Sequence, residues 1–232
     1  MSNRPRVQKS RSARPEGRAA SGSNPLLKWM IFGVVALVAL AVAVGFLANR
    51  DAEDRQEHGI ASQVGDVAIA GVPALPRFDA TLGDPAVGQP APDFTATGFD
   101  GGEVSVQPGD GTAKVIGFFA HWCPHCQREL PRIAGWLGAN QPPVGVEVIA
   151  VSTAVDPDGS NYPPSAWFER EGWPTAAVRD SATNEISEAY GLRGFPYTVV
   201  VDGAGRVLTR VSGELSDSAW ESLLDTAAAS AG

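Results

Sequence analysis

Cysteine, histidine and methionine are scarce in this chain: among 232 residues there are two, three and two. Two cysteines cannot build a multi-bridge scaffold. A zinc site would have to add ligands from His58, His121 and His125 to the cysteine pair, and His125 falls inside the short loop between them. No glycine-rich phosphate loop and no internal repeat is present, so neither nucleotide cradling nor a solenoid is indicated. Positive charge is thin after the first 28 residues. Those 28 carry seven basic residues and one acid, leaving 11 basic and 25 acidic residues to the rest, a net charge of −14. An acidic body repels phosphate backbones, which argues against a nucleic-acid partner. Charge of either sign is absent from Trp29 to Ala48.

What is present divides the chain into four parts. Residues 1–28 have few large apolar side chains and read as a disordered basic cytoplasmic tail. Residues 29–48 are twenty uncharged residues rich in Val, Ala, Leu, Ile and Phe, and a helix of that length spans a hydrocarbon core about 30 Å thick. A cleaved export signal usually has a shorter apolar core of about 7 to 15 residues. Lys28 and the arginines flank one side, and Asp51, Glu53, Asp54 and Glu57 the other. The positive-inside rule then keeps the N-terminus cytoplasmic and everything after residue 50 outside. Residues 49–86 are polar and then Gly/Pro/Ala-rich without sustained periodicity, the pattern of an extracytoplasmic linker. A length of 232 residues leaves room for one ordinary domain, residues 87–232.

That domain reads as an α/β fold. Lys114 to Ala120 and Val144 to Val151 are near-continuous β-branched and aromatic runs, as in strands covered on both faces. Between them Leu130, Ile133, Ala134 and Leu137 form one apolar helix face, with Pro131 predicting a kink. Strand, helix, strand is a parallel crossover. Tyr197 to Val201 and Arg206 to Val211 flank Asp202-Gly-Ala-Gly205 and predict an antiparallel hairpin. A last helix opens on a capping box, Ser218-x-x-Glu221, and buries Trp220, Leu223, Leu224, Ala227 and Ala228.

One motif carries chemistry: Trp122-Cys123-Pro124-His125-Cys126, where a strand ends and a helix begins. Cysteines at i and i+3 on a first helical turn can close a small disulfide, and a helix N-terminus favours a thiolate at the first position. Cys123 is expected to be the exposed nucleophile and Cys126 the buried resolving thiol: Cys123 attacks a substrate disulfide, and Cys126 then resolves the mixed disulfide. As a purely structural bridge the pair is weak, because so short a loop removes only about 2 kcal/mol of chain entropy. Covalent haem attachment needs His after the second Cys, where this chain has Gln127. No dissociable cofactor or metal is expected. The redox group is the Cys123/Cys126 disulfide itself.

With these residues in order the chain resembles the membrane-tethered thioredoxin-fold proteins of the TlpA/ResA type. The resemblance runs through Val87-Gly-Gln-Pro-Ala-Pro-Asp-Phe94, through Phe118 to Pro131 around the cysteines, and through Gly194-Phe-Pro-Tyr-Thr-Val-Val-Val-Asp202. It implies a thioredoxin-like fold, a central mixed sheet flanked by helices. It also implies a cis peptide before Pro196, with the Phe195 backbone pairing with an extended substrate, and it gives Glu129 a part in proton transfer near the thiols. Thioredoxins proper carry an acid six positions before the first cysteine; here that position is Gly117. Trp122 lines the expected substrate groove. Pro124 and His125 form the dipeptide seen between the cysteines of DsbA-like oxidants, where the imidazole favours the thiolate and makes the disulfide more oxidising; His121, two residues before Cys123, could also tune the thiol.

The resemblance thus implies a thiol-disulfide oxidoreductase acting on exported, cysteine-containing proteins such as apo-cytochromes. It would act as a reductase fed by a membrane thiol-disulfide partner, and contact lipid through residues 29–48. His125 argues for the alternative, a disulfide donor. A copper chaperone using two thiolates and a histidine is a further alternative, but the spacing differs from the copper-binding Cys-x-x-x-Cys pattern. The single cysteine and Pro/Thr motif of a peroxidase are missing.

Overall fold

The computed structural model describes residues 25–57, 59–81 and 83–232; residues 1–24 of the basic tail, and His58, lie outside them. Two compact units divide at Ala52/Glu53. The first is built on α1 (Pro25–Glu57), whose stretch Lys28–Phe46 is long and apolar enough to cross a membrane, with none of it buried against protein. Helix starts before the expected span, at Pro25, and continues to Glu57, because nothing in Asn49 to Glu57 breaks it: those residues include good helix formers and no Gly or Pro.

The second unit runs α2 (Ile60–Gln63), β1 (Val67–Ala70), β2 (Asp93–Thr97), β3 (Glu103–Val106), β4 (Ala113–Phe119), α3 (Pro124–Ala139), β5 (Val146–Ser152), α4 (Pro164–Arg170), β6 (Ala176–Arg179), α5 (Glu185–Ala189), β7 (Tyr197–Val201), β8 (Val207–Ser212) and α6 (Asp217–Ala228). Its main sheet has the order β6-β5-β4-β7-β8, parallel from β6 to β4 and antiparallel through β7 and β8. A thioredoxin-like mixed sheet results, joined by an antiparallel β1-β2-β3 sheet. The apolar runs do what their composition demands. Every residue of β4 and of β7 is buried, and alternate side chains go to opposite faces. Val115 and Phe119 join Leu130, Ile133, Trp220 and Leu224 on one face. Ile116 and Phe118 join Phe94, Ile186, Tyr190 and Tyr197 on the other.

Three expectations need correction. The capping box is displaced: Ser216, not Ser218, caps α6, its hydroxyl accepting from the Ala219 amide, while Glu221 receives the Trp136 indole N–H at 3.1 Å. Of the five apolar residues assigned to the α6 core, Trp220, Leu224 and Ala227 are buried, and Leu223 and Ala228 are half-buried. The third concerns the linker, parts of which are tied to the domain. β1 pairs with β2, Leu75 and Ala86 are in the core, and the Leu75 and Phe78 amides donate to the Ala189 and Gly191 carbonyls at 2.8 and 2.9 Å. The sequence hides this because the segment is held by backbone and ionic contacts rather than by an apolar period.

Arg210 is the main clasp. Its side chain is fully buried, paired with Asp84, and donates to the Pro76 carbonyl at 2.8 Å and the Tyr190 carbonyl at 3.1 Å. Burial pushes the Asp84 carboxyl up, but the guanidinium hydrogen bonds outweigh it and hold that carboxyl below its ordinary value. Gly191, at φ +73°, lets the two segments approach: a Cβ there would lie 2.4 Å from the Pro76 carbonyl oxygen. Removing one partner of a buried ion pair strands the other charge. Arg210→Ala is therefore expected to destabilise the chain by about 3 to 5 kcal/mol, read from urea unfolding followed by tryptophan fluorescence; a loss under about 1 kcal/mol would show that residues 60–86 are only loosely attached.

Candidate active site

The crossover from β4 to α3 delivers the two cysteines. β4 ends at Phe119, and α3 begins at Pro124, which suits a first helical position because its missing N–H has no partner there anyway. Cys123 is the N-cap, extended at φ −73° and ψ 121°, its carbonyl accepting the first helical bond from the Gln127 amide at 3.0 Å. Its side chain thus stands at the N-terminal end of α3. One turn on, Cys126 points into the core and is 0% exposed. Both thiols are free. Cys123 is less open than the sequence suggests, 6% exposed, because its Sγ is tucked 3.8 Å from the Phe195 carbonyl oxygen. Burial pushes the Cys126 thiol far up, and the neighbouring Cys123 and Glu129 push the same way.

Phe195 and Pro196 lie at the start of β7, joined by a cis peptide. Trp122 stands edge-on to the Phe195 ring at 5.8 Å and donates its indole N–H to the Ala154 carbonyl at 2.7 Å. Trp122 and Phe195 therefore flank Cys123. Gly117 leaves no gap, since a Cβ there would meet the Phe119 ring at 2.8 Å. The helix continues through Pro131 to Ala139.

Glu129 is the acid beside the thiols. It lies three residues after Cys126 on α3, so both face the same side of the helix, and it is 1% exposed. One oxygen accepts from the Leu215 amide at 3.0 Å; the other, Oε2, is buried with no hydrogen-bond partner among the described residues. Burial raises its pKa to about 7, against an ordinary value of 4.5. A group poised there can take or give a proton near neutral pH.

The two histidines have different fates. His121 is fully buried and satisfied on both nitrogens: Nδ1 donates to the Ser160 carbonyl at 2.7 Å, and Nε2 accepts from the Asp156 amide at 3.1 Å. Burial lowers its pKa, so it is a neutral pin for the loop after β5, not a thiol-tuning group. Gln127 reinforces the pin, donating to the His121 carbonyl at 2.9 Å and the Ser160 hydroxyl at 2.7 Å. His125 is exposed and contacts Arg128 and Glu214, with no hydrogen bond to either thiol. Among the described residues no group of three or more His, Cys, Asp or Glu side chains is gathered as a metal would require.

Sequence reasoning missed the loop of residues 213–216, which is stitched to α3 by Glu129 through Leu215, by Arg128 through Glu214, and by Arg132 through the Leu215 carbonyl and Asp217. These pairs are more than 80 residues apart and have no periodic signal. The Glu129 site makes stability pH-dependent. With a folded pKa of about 7 and an unfolded value of 4.5, the unfolded chain loses this proton first as pH rises. This contribution therefore falls between those two pH values and stays low above them, by about 1.4 kcal/mol per unit. Glu129→Gln is expected to remove that decline and to be the more stable protein at pH 8 by about 2 to 3 kcal/mol; urea-unfolding curves for the two proteins that stay parallel from pH 5 to pH 8 would refute the assignment.

The chain is similar in sequence to several known proteins. The thiol:disulfide interchange protein HelX of Rhodobacter capsulatus is 33% identical over 108 residues, covering 47% of this chain and 56% of HelX. The thiol-disulfide oxidoreductase ResA of Halalkalibacterium halodurans is 26% identical over 197 residues, covering 85% of this chain and 93% of ResA. Against HelX, and against the DsbE homolog of Paracoccus denitrificans, the chain spans only 56% of the relative's length. A crystal structure of a thioredoxin-family thiol:disulfide interchange protein from Chlorobium tepidum superposes with a TM-score of 0.48 at 25% identity, over 61% of this chain and 97% of that one. The family model that describes AhpC/TSA proteins matches residues 87–210, from the opening segment through the dithiol and the cis-proline strand, and on that match the chain belongs to the AhpC/TSA family.

Proposed function

We propose that the chain is a membrane-tethered thiol-disulfide oxidoreductase that reduces exported proteins. The observation that carries the reading is the asymmetry of the dithiol: Cys123 at the helix N-terminus beside Phe195, Cys126 buried one turn on, and the poised Glu129 carboxyl on the same face of α3. The names of HelX and ResA, an interchange protein and an oxidoreductase, support it.

The Cys123 thiolate attacks one sulfur of a substrate disulfide; an S–S bond forms between Cys123 and substrate, and the other substrate sulfur leaves as a thiolate that takes a proton from solvent. Cys126 then attacks the Cys123 sulfur. Its raised pKa keeps it protonated until that step, and the ionised Glu129 is the base that receives the proton. The Cys123–Cys126 disulfide forms, the second substrate thiol is released, and two electrons have passed to the substrate. A membrane thiol-disulfide partner restores the dithiol by the reverse chemistry. Burial of Cys126 means that it attacks the Cys123 sulfur and not a substrate directly.

The apolar stretch Lys28–Phe46 supplies the tether. The basic flank before it keeps the N-terminus in the cytoplasm and puts the dithiol on the outer side, where oxidised substrates arise. The substrates we assign, on the family resemblance, are exported proteins whose cysteines must stay reduced, apo-cytochromes among them.

Cys126→Ser should accumulate reductant-sensitive adducts of higher mass on non-reducing gels of membranes, and Cys123→Ser should form none and lose all exchange activity. Full activity in Cys123→Ser together with no adducts in Cys126→Ser would overturn the mechanism. Glu129→Gln should keep first-step attack on a disulfide substrate but slow resolution by about 10²-fold or more; rapid-quench separation of the two steps reads this, and equal slowing of both would remove Glu129 from the proton path.

A further inference from the structure

Among the described residues after Ala52, Trp122 is the one exposed aromatic side chain, and it stands next to the cysteine that meets a substrate first. An indole there offers a protein substrate a wide apolar face. It is held at two points by the loop between β5 and α4. Its N–H donates to the Ala154 carbonyl at 2.7 Å, and a Cβ on Gly159 would lie 2.8 Å from the Trp122 Cβ, so a glycine lets the loop close on the tryptophan stem.

The first turn of that loop is set from another element. Ala154 has φ +51°, a left-handed backbone that an alanine side chain disfavours. The Asn184 side chain holds it there: Oδ1 accepts from the Ala154 amide at 2.9 Å and from the Thr153 hydroxyl at 3.2 Å. A main-chain N–H can only donate, which turns the oxygen of the Asn184 amide towards it. Asn184 is the N-cap of α5, itself at φ +61°, a conformation that suits Asn, Asp and Gly. An asparagine at an N-cap ordinarily accepts from its own helix. Here the first amides of α5 go elsewhere, Glu185 to the Ser181 hydroxyl at 3.1 Å and Ile186 and Ser187 to the Asp180 carboxylate at 2.9 and 3.1 Å. The Asn184 side chain caps nothing and is spent on Ala154.

We propose that Asn184 is a positioning residue for substrate docking: it holds Ala154 left-handed and, through the Ala154 carbonyl, sets the Trp122 indole against which a peptide disulfide settles beside Cys123. The inference rests on the thiol-disulfide exchange reading of the site. Asn184→Gly keeps the left-handed backbone and deletes the acceptor, whereas Asn184→Asp keeps both. The probe is a synthetic peptide closed by one disulfide, mixed with the reduced full-length chain in detergent. Protein dithiol and peptide disulfide give protein disulfide and peptide dithiol, and rapid quench with an alkylating agent reads the second-order rate constant. Asn184→Gly should lower that constant about tenfold, and Asn184→Asp should restore it to within about twofold of the unaltered chain. Trp122→Phe keeps a ring and loses the indole N–H; in that background Asn184→Gly should give no further fall, which a general loosening of the fold would not spare. Hydrogen exchange at the Trp122 indole, followed by NMR, should quicken in Asn184→Gly and not in Asn184→Asp.

A rate constant that stays level in Asn184→Gly, that falls as much without the indole N–H, or that Asn184→Asp does not restore, overturns the proposal, as does unchanged indole exchange in Asn184→Gly. Glycine at this half-buried position strands no charge, and the Thr153 hydroxyl keeps Ser187 Oγ at 3.0 Å, so loss of folding is not expected. Failure here is distinct from failure of the exchange reading: that reading fails when Cys126→Ser traps nothing, whatever these rate constants show.

Discussion

A thiol and a carboxyl three residues apart on one helix are both shut off from water, and the rest of the site is arranged around that burial. Cys126 is 0% exposed and Glu129 1%. Neither can ionise at the ordinary pH, so the one is kept as a thiol until it is needed and the other is tuned to receive its proton. The cost falls on the fold: an ionised carboxylate with an unpartnered oxygen is held against the core, and the Leu215 amide and the charge of Arg132 only partly offset its burial. The first cysteine is placed differently, at the N-terminus of α3 with its sulfur against the carbonyl of Phe195. Two sulfurs one turn apart therefore behave as unlike groups.

Much of this was legible in the residues. β4 and β5 announce themselves as uninterrupted β-branched and aromatic runs because each must be apolar on both faces, and the core clusters divide their side chains alternately. Pro124 and Cys123 mark the start of α3 through the chemistry of helix ends. The dithiol is a spacing, and spacings are local. What was not legible is contact between distant segments. Nothing in the composition of residues 60–86 shows that Arg210 clasps Asp84 and the Pro76 carbonyl. Nothing around Ser218 shows that Ser216 has the better geometry to cap α6. His121 read as a neighbour of the thiol, yet its ring faces Ser160 and Asp156, which lie 39 and 35 residues away.

Polar side chains in this structure mostly hold loops in place. His121 and Gln127 fix the turn after β5 that carries the Trp122 acceptor. Arg128, Glu129 and Arg132 fix the loop before α6 from a single helix. Cys123 is thereby flanked by Trp122, held by the Ala154 carbonyl, and by Phe195, whose carbonyl meets its sulfur. A Cys-Pro-His-Cys sequence alone points to an oxidant. Behind the second thiol lies a buried acid, Glu129, which suits the reductase that we propose.

Direction of electron flow is the central claim, and the reduction potential of the full-length chain in detergent, titrated against glutathione, tests it most directly. The account predicts a value of about −250 mV or lower, with the reducing members of the known range. A value near about −120 to −150 mV would contradict it and make the chain a disulfide donor.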